Sequence, residues 1–322
     1  MCKYKLTEET KVVAGVTVHR IQALKSFGDV TKGDLGGWVA SEANLSQEGL
    51  CWVSGKACVS GDAWVYGNAQ VYGNAEVFEK ARVFGKAKVY ENACVFGNAW
   101  VCGNAPVFGY AWVYGDAWVS GDAPVYGNAR VYGNAQVSGE ARVFEKARVY
   151  GNARVFENAR VYGNAEVLEK ARVFGNVRVY GEAEVSGDAL VCGNAWVFEK
   201  ARVFGDVRVY GDAKVSGNAW VYGDAQVSGN AQVFGDAWVF GDAKVYENAR
   251  VYKNAQVSVN ACVFGYARVF GDAWVFGNVR VYKNAEVSGY AWVYGDAKVF
   301  EDAEVSGNAQ VSGGTVSSGE RR

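Results

Sequence analysis

Few residues in this chain have the chemistry for catalysis. His19 is the one histidine among 322 residues. An imidazole titrates near neutrality and can serve as the base of acyl transfer. Its apolar neighbours Val18 and Ile21 instead read as a strand that carries it in an N-terminal cap. The seven cysteines (Cys2, Cys51, Cys58, Cys94, Cys102, Cys192 and Cys262) are odd in number, and their spacings are not those of a zinc site. There is no phosphate-binding loop, no serine elbow and no metal-ligand cluster in the sequence. Carboxylates are plentiful but fall mostly at predicted corners. The expectation is a chain without catalytic residues, metal or cofactor.

Aromatic residues are the sharper signal. Trp220, Trp238, Trp274 and Trp292 share one column of an 18-residue register, with Tyr222, Phe240, Phe276 and Tyr294 beside them and Gln256 interrupting. Such a face has two readings. The rings can stack as ladders between coils, with arginines laid over them. Alternatively, the exposed aromatic surface takes up a second solenoid, another protein or a glycan. These eight residues are the candidate binding face. A second column, Arg142, Arg160, Arg178, Trp196, Lys214, Arg250 and Arg268, offers cations to a polyanion. Acids at nearby corners offset it, and the net charge of -1 argues against nucleic acid as a partner.

These columns follow from a repeat. Valine recurs at every sixth position from Val53 to Val311, 44 times without a slip. An even period keeps each side chain on the same side of a strand. In Ala63-Trp64-Val65-Tyr66, Ala and Val point inward, while Trp and Tyr point outward. Between such stretches lies a two-residue corner, usually Gly-Asn or Gly-Asp, with Asn or Asp at the second position in 32 of 44 repeats. Those side chains tolerate left-handed backbone, so the second position is expected to be the restricted one. Glu replaces Gly at the first position in Glu79, Glu145 and Glu199.

Three repeats make a coil. Pro106 and Pro124 occupy equivalent positions 18 residues apart and would interrupt one inter-coil ladder twice. The prediction is an all-β, single-stranded parallel β-helix, a triangular solenoid of about 15 coils and roughly 70 Å at about 4.8 Å per coil. Cys58 and Cys94 then lie two coils apart, beyond disulfide reach, which points to free thiols and a cytoplasmic location. The segment from Val167 recurs from Val197, an offset of five repeats that turns the copy by one face. Inner packing is therefore the main constraint on the sequence.

The expected organisation is a β-rich cap over 1–38, a solenoid over 39–316 and a frayed tail over 317–322. Four residues, Ser46-Gln47-Glu48-Gly49, put two extra positions into the frame before Val53. No cap follows Val311, so the last coil is expected to present an open edge suited to self-association. No signal peptide or membrane span is predicted.

The repeat resembles the hexapeptide-repeat, left-handed β-helix superfamily, and the left hand is implied by that resemblance. The motifs Lys3–Glu8, Arg20-Ile21, Phe27, Gly36-Gly37-Trp38-Val39, Asn44-Leu45-Ser46-Gln47 and Gly49 with Cys51-Trp52-Val53 are similar to the start of the YdcK-like bacterial and phage-borne proteins. Some of those are labelled acyltransferases, but the resemblance brings no catalytic residue with it. The functional expectation is a non-catalytic, self-associating scaffold or interaction protein. Glycan or polymer binding and a divergent acyltransferase are the alternatives.

Overall fold

The computed structural model describes residues 2–321. The chain divides into two compact units, Met1–Asn158 and Ala159–Arg322. Both are parallel β-solenoids with about 18 residues between stacked strands. Nearly every strand is an x-Val pair such as Trp64–Val65 or Arg82–Val83. Alanine and valine of each repeat are buried, almost all of them completely, as expected for a narrow interior that admits one fixed volume per layer. Hydrogen bonds run along the axis. Trp64 N donates to Ala81 O at 2.9 Å, Tyr66 N to Val83 O at 3.0 Å and Asn68 N to Gly85 O at 2.7 Å. Most repeats thus tie their outer and corner positions to the next coil.

The first unit begins with antiparallel strands β1 (Tyr4–Val13), β2 (Val16–Ala23) and β3 (Leu35–Val39). Strand β3 turns the cap into the solenoid, since Trp38–Val39 pairs in parallel with Cys58–Val59. Two glycines allow that junction. A Cβ on Gly36 would sit 2.5 Å from Ile21 Cγ1, and one on Gly37 would sit 2.7 Å from the Ala57 carbonyl. The first coil is two residues longer than the later ones: Val39 and Leu45 face Val59 and Val65, whereas Val53 faces Val71. Asn44 bridges the irregular stretch. Its buried side chain accepts from Ser41 N and donates to Gly61 O and Ala63 O, each at 2.8 Å. An amide side chain here supplies the donor that a backbone N–H supplies in later coils.

Both prolines lie where the register predicts. Lys88 faces Pro106, and Val125 keeps only isolated bridges to Val107 and Val143. The missing N–H at Pro124 removes one ladder bond. Cys58 and Cys94 both flank Glu76, two coils apart, and all seven cysteines are free.

The corners correct one expectation. The left-handed residue is the first corner position: Gly103 has φ 71° and Gly217 φ 70°, and among the described residues no Asn or Asp has positive φ. The first position is the restricted one because the next coil's backbone lies against it. A Cβ on Gly103 would come 2.7 Å from Gly121 N. The Asn and Asp side chains bond between coils instead. Asn176 Nδ2 donates to Asn194 Oδ1, which in turn donates from Nδ2 to Asp212 Oδ1, both at 3.0 Å.

The second unit repeats this scheme. The copied segment is turned as predicted: Val167 faces Val185, while Val197 lies between Val179 and Val215 on another face. The tail differs from expectation. After Val311 the chain advances in five-residue steps, so Thr315–Val316 pairs with Lys298–Val299 and Glu320–Arg321 with Glu304–Val305. The backbone of residues 317–321 thus continues the coil, because shorter corners keep it over the preceding strands. Residue 322 of the expected frayed tail lies outside the described residues.

Candidate functional site: an aromatic face on the second unit

The eight predicted aromatic residues do lie on one face. Trp220 faces Trp238, which faces Gln256, then Trp274 and Trp292. The Trp220 and Trp238 rings stack at 5.4 Å and 10°. Trp274 and Trp292 stack at 5.3 Å and 5°. The inner row stacks as well, with Tyr222 on Phe240 at 4.9 Å and Phe276 on Tyr294 at 5.3 Å. Each second indole meets that row edge-on: Trp238 with Tyr222 and Trp292 with Phe276, both at 6.4 Å. Parallel strand register places identical positions one coil apart, close to the stacking distance of aromatic rings.

Stacking decides which surfaces remain available. The Tyr and Phe rings cover each other's faces and are half-buried. Trp238, Trp274 and Trp292 keep 38%, 40% and 41% exposure. Arg202 lies over Trp220 at 5.1 Å. Two indole pairs, separated by the coil of Gln256, therefore form the apolar surface.

The cationic column is less free than its sequence implies. In the second unit, Arg178 and Lys214 lie over opposite neighbours' sides of Trp196 at 4.7 and 5.0 Å. Arg268 pairs with Glu286 at 3.0 Å. His19 stands on β2 between Thr10 and Val39. Among the described residues, no group of three or more His, Cys, Asp or Glu could hold a metal, and no helix is long and apolar enough to cross a membrane.

One cluster escaped sequence reasoning. Lys3 is 1% exposed. Its Nζ donates to Cys51 O at 2.9 Å, Cys51 Sγ at 3.1 Å and Glu48 O at 3.3 Å. Tyr4 OH donates to Leu45 O at 2.6 Å. Burial lowers the Lys3 pKa and raises those of Tyr4 and Cys51. Both side chains hold the irregular first coil, whose carbonyls lack the regular donors. Lys3-Tyr4 and the two-residue insertion at Ser46–Gly49 are both visible in the sequence, far apart, but nothing there brings them together. Next to this cluster, a cavity of about 740 Å³ lies between the loop after β2 and the first coils, lined in part by Phe27, Trp52, Tyr72, Lys86 and Lys88.

Known proteins bear on the fold and only weakly on the activity. The family model described as YdcK beta solenoid repeat matches residues 123–139, 147–163 and 225–241. A protein named "Uncharacterized acetyltransferase YdcK", from Escherichia coli (strain K12), is 38% identical over 61 residues, covering 16% of this chain. The match spans 19% of that relative's length. The chain is a parallel β-solenoid repeat protein, similar to the YdcK repeat over these segments.

Proposed function

We propose that this chain is a non-catalytic, cytoplasmic interaction scaffold that self-associates through the aromatic face of its second unit. The observation that carries this reading is the pair of exposed indole stacks, Trp220–Trp238 and Trp274–Trp292. They stand on strands whose backbone bonds are satisfied along the axis, so their exposure serves no pairing need of the framework. Seven free thiols support a reducing compartment. Light scattering at tens of micromolar tests the proposal: the wild type forms a dimer or larger species, and the four-fold Trp→Ala variant is monomeric. A strictly monomeric wild type refutes it. The same variant on a glycan array tests polymer binding, which requires retention by the wild type and loss in the variant.

The name of the Escherichia coli relative favours a second reading, acetyl transfer. His19 is the residue to test. Acyl-CoA turnover by the wild type that is lost in His19→Ala supports it, and no turnover refutes it.

A further inference from the structure

The aromatic ladders are interrupted by serines, and one interruption has the form of a binding slot. On one face of the second unit, Tyr246, Phe264, Tyr282 and Phe300 stack in sequence at 4.8, 4.9 and 5.0 Å. The ladder stops at Tyr246 because the preceding coil carries Ser228 in place of a ring, and Tyr210 stands one coil further on. Tyr210 and Tyr246 are therefore two coils apart, about 9.6 Å at about 4.8 Å per coil. That is the separation of first and third rings in an unbroken ladder. Ser228, only 8% exposed, forms the floor. A cavity of about 500 Å³ opens there, with Gln226, Lys244 and Arg280 also on its walls and no carboxylate among its lining residues. Tyr210 is 39% exposed, more than the laddered tyrosines, as expected for a ring with no ring stacked on it.

We infer that this slot binds one planar aromatic ring bearing a carboxylate. The ring takes the ladder position that Ser228 leaves empty, between Tyr210 and Tyr246. Lys244 and Arg280 receive the anionic group. The slot at Ser258, between Phe240 and Phe276, has the same spacing, but Trp274 stands where Lys244 does and Gln310 where Arg280 does. Selectivity for an acid is thus specific to the Ser228 face. The inference does not depend on self-association, because the indole pairs lie on a different face.

Saturation-transfer NMR with 4-hydroxyphenylacetate as probe tests it on the full chain. Binding by the wild type is expected in the millimolar range or tighter, and at least ten times weaker with the neutral 4-hydroxyphenylethanol. Ser228→Tyr fills the slot from within and should abolish binding while leaving the melting temperature unchanged or raised. Tyr210→Ala removes one exposed wall without touching the core and should weaken binding at least tenfold. Lys244→Met with Arg280→Met should erase the preference for the acid. The inference is overturned if the wild type shows no binding at about 10 mM, if folded Ser228→Tyr binds as the wild type does, or if acid and alcohol bind alike.

Discussion

Glu199 offers a decisive test of how the corners are stabilised. It occupies the left-handed first corner position at φ 60°, where glycine is the rule. A left-handed L-residue costs about 1–2 kcal/mol. Glu199 offsets this through its carboxylate, whose Oε2 accepts from Gly217 N on the next coil at 2.6 Å. The corresponding bonds at Glu79 to Gly97 and Glu169 to Gly187 are 2.8 and 2.7 Å. The group is solvent-exposed, so water competes and the bond contributes about 0.5–1.5 kcal/mol. Glu199→Ala keeps the strained backbone and loses the bond, a cost of about 1 kcal/mol. Glu199→Gly loses the bond but relieves the strain, less about 0.5–1 kcal/mol for the freer unfolded glycine. It should lie within about 0.5 kcal/mol of the wild type and above the alanine variant. Hydrogen exchange at the Gly217 amide gives the local readout and guanidinium denaturation the global one. Both variants should exchange that amide about five-fold faster, the equivalent of about 1 kcal/mol. An alanine variant as stable as the wild type, with Gly217 still protected, would refute the reasoning.

Other consequences follow from the cap and core. Lys3→Met leaves the carbonyls of Glu48 and Cys51 without their donor and should destabilise the cap by about 1–3 kcal/mol, measured by thermal melting or proteolysis. The cap and the coil it joins should also weaken in alkali. Burial pushes the Cys58 thiol from 9.0 up to about 11, so its contribution is complete below pH 9 and lost as pH rises through 11. Tyr4 is raised above its ordinary 10.0 by burial, and its contribution is likewise lost above pH 10. Tyr4→Phe should remove the steeper part of that loss, as read by near-ultraviolet dichroism. Lys3 acts with the opposite sign. Its pKa is lowered from 10.5 by burial, so the cost of its buried charge is largest at low pH and is relieved as pH approaches 10.5. Val221 is fully buried, and Val221→Ala should cost about 1.5–3 kcal/mol in denaturant titration.

Much of this architecture was legible because a six-residue period projects directly onto side-chain direction. The inward Ala and Val, the 18-residue coil, the stacked Pro106 and Pro124, and the alignment of Trp220, Trp238, Trp274 and Trp292 all follow from counting. The error at the corners has a specific cause. Composition shows that Asn and Asp favour the second position, but not which neighbour their side chains meet. Asn176 and Asn194 are selected by bonds between coils, which no local turn rule contains. The continuing strand at Glu320–Arg321, inside the expected tail, was missed because its spacing leaves the six-residue frame while its backbone stays in register.

The sequence by itself determined which residues point inward, which share a column and where the rings must lie, since a strand's alternation and a constant coil length leave no other placement. Only the tertiary structure decided which ring faces are covered, that Lys3 and Tyr4 hold the irregular first coil, and that Ser228 leaves a ring-sized gap between Tyr210 and Tyr246. Those outcomes depend on distances between residues a coil or more apart. They are set by the stacking of whole coils and by burial, which spacing along the chain does not encode.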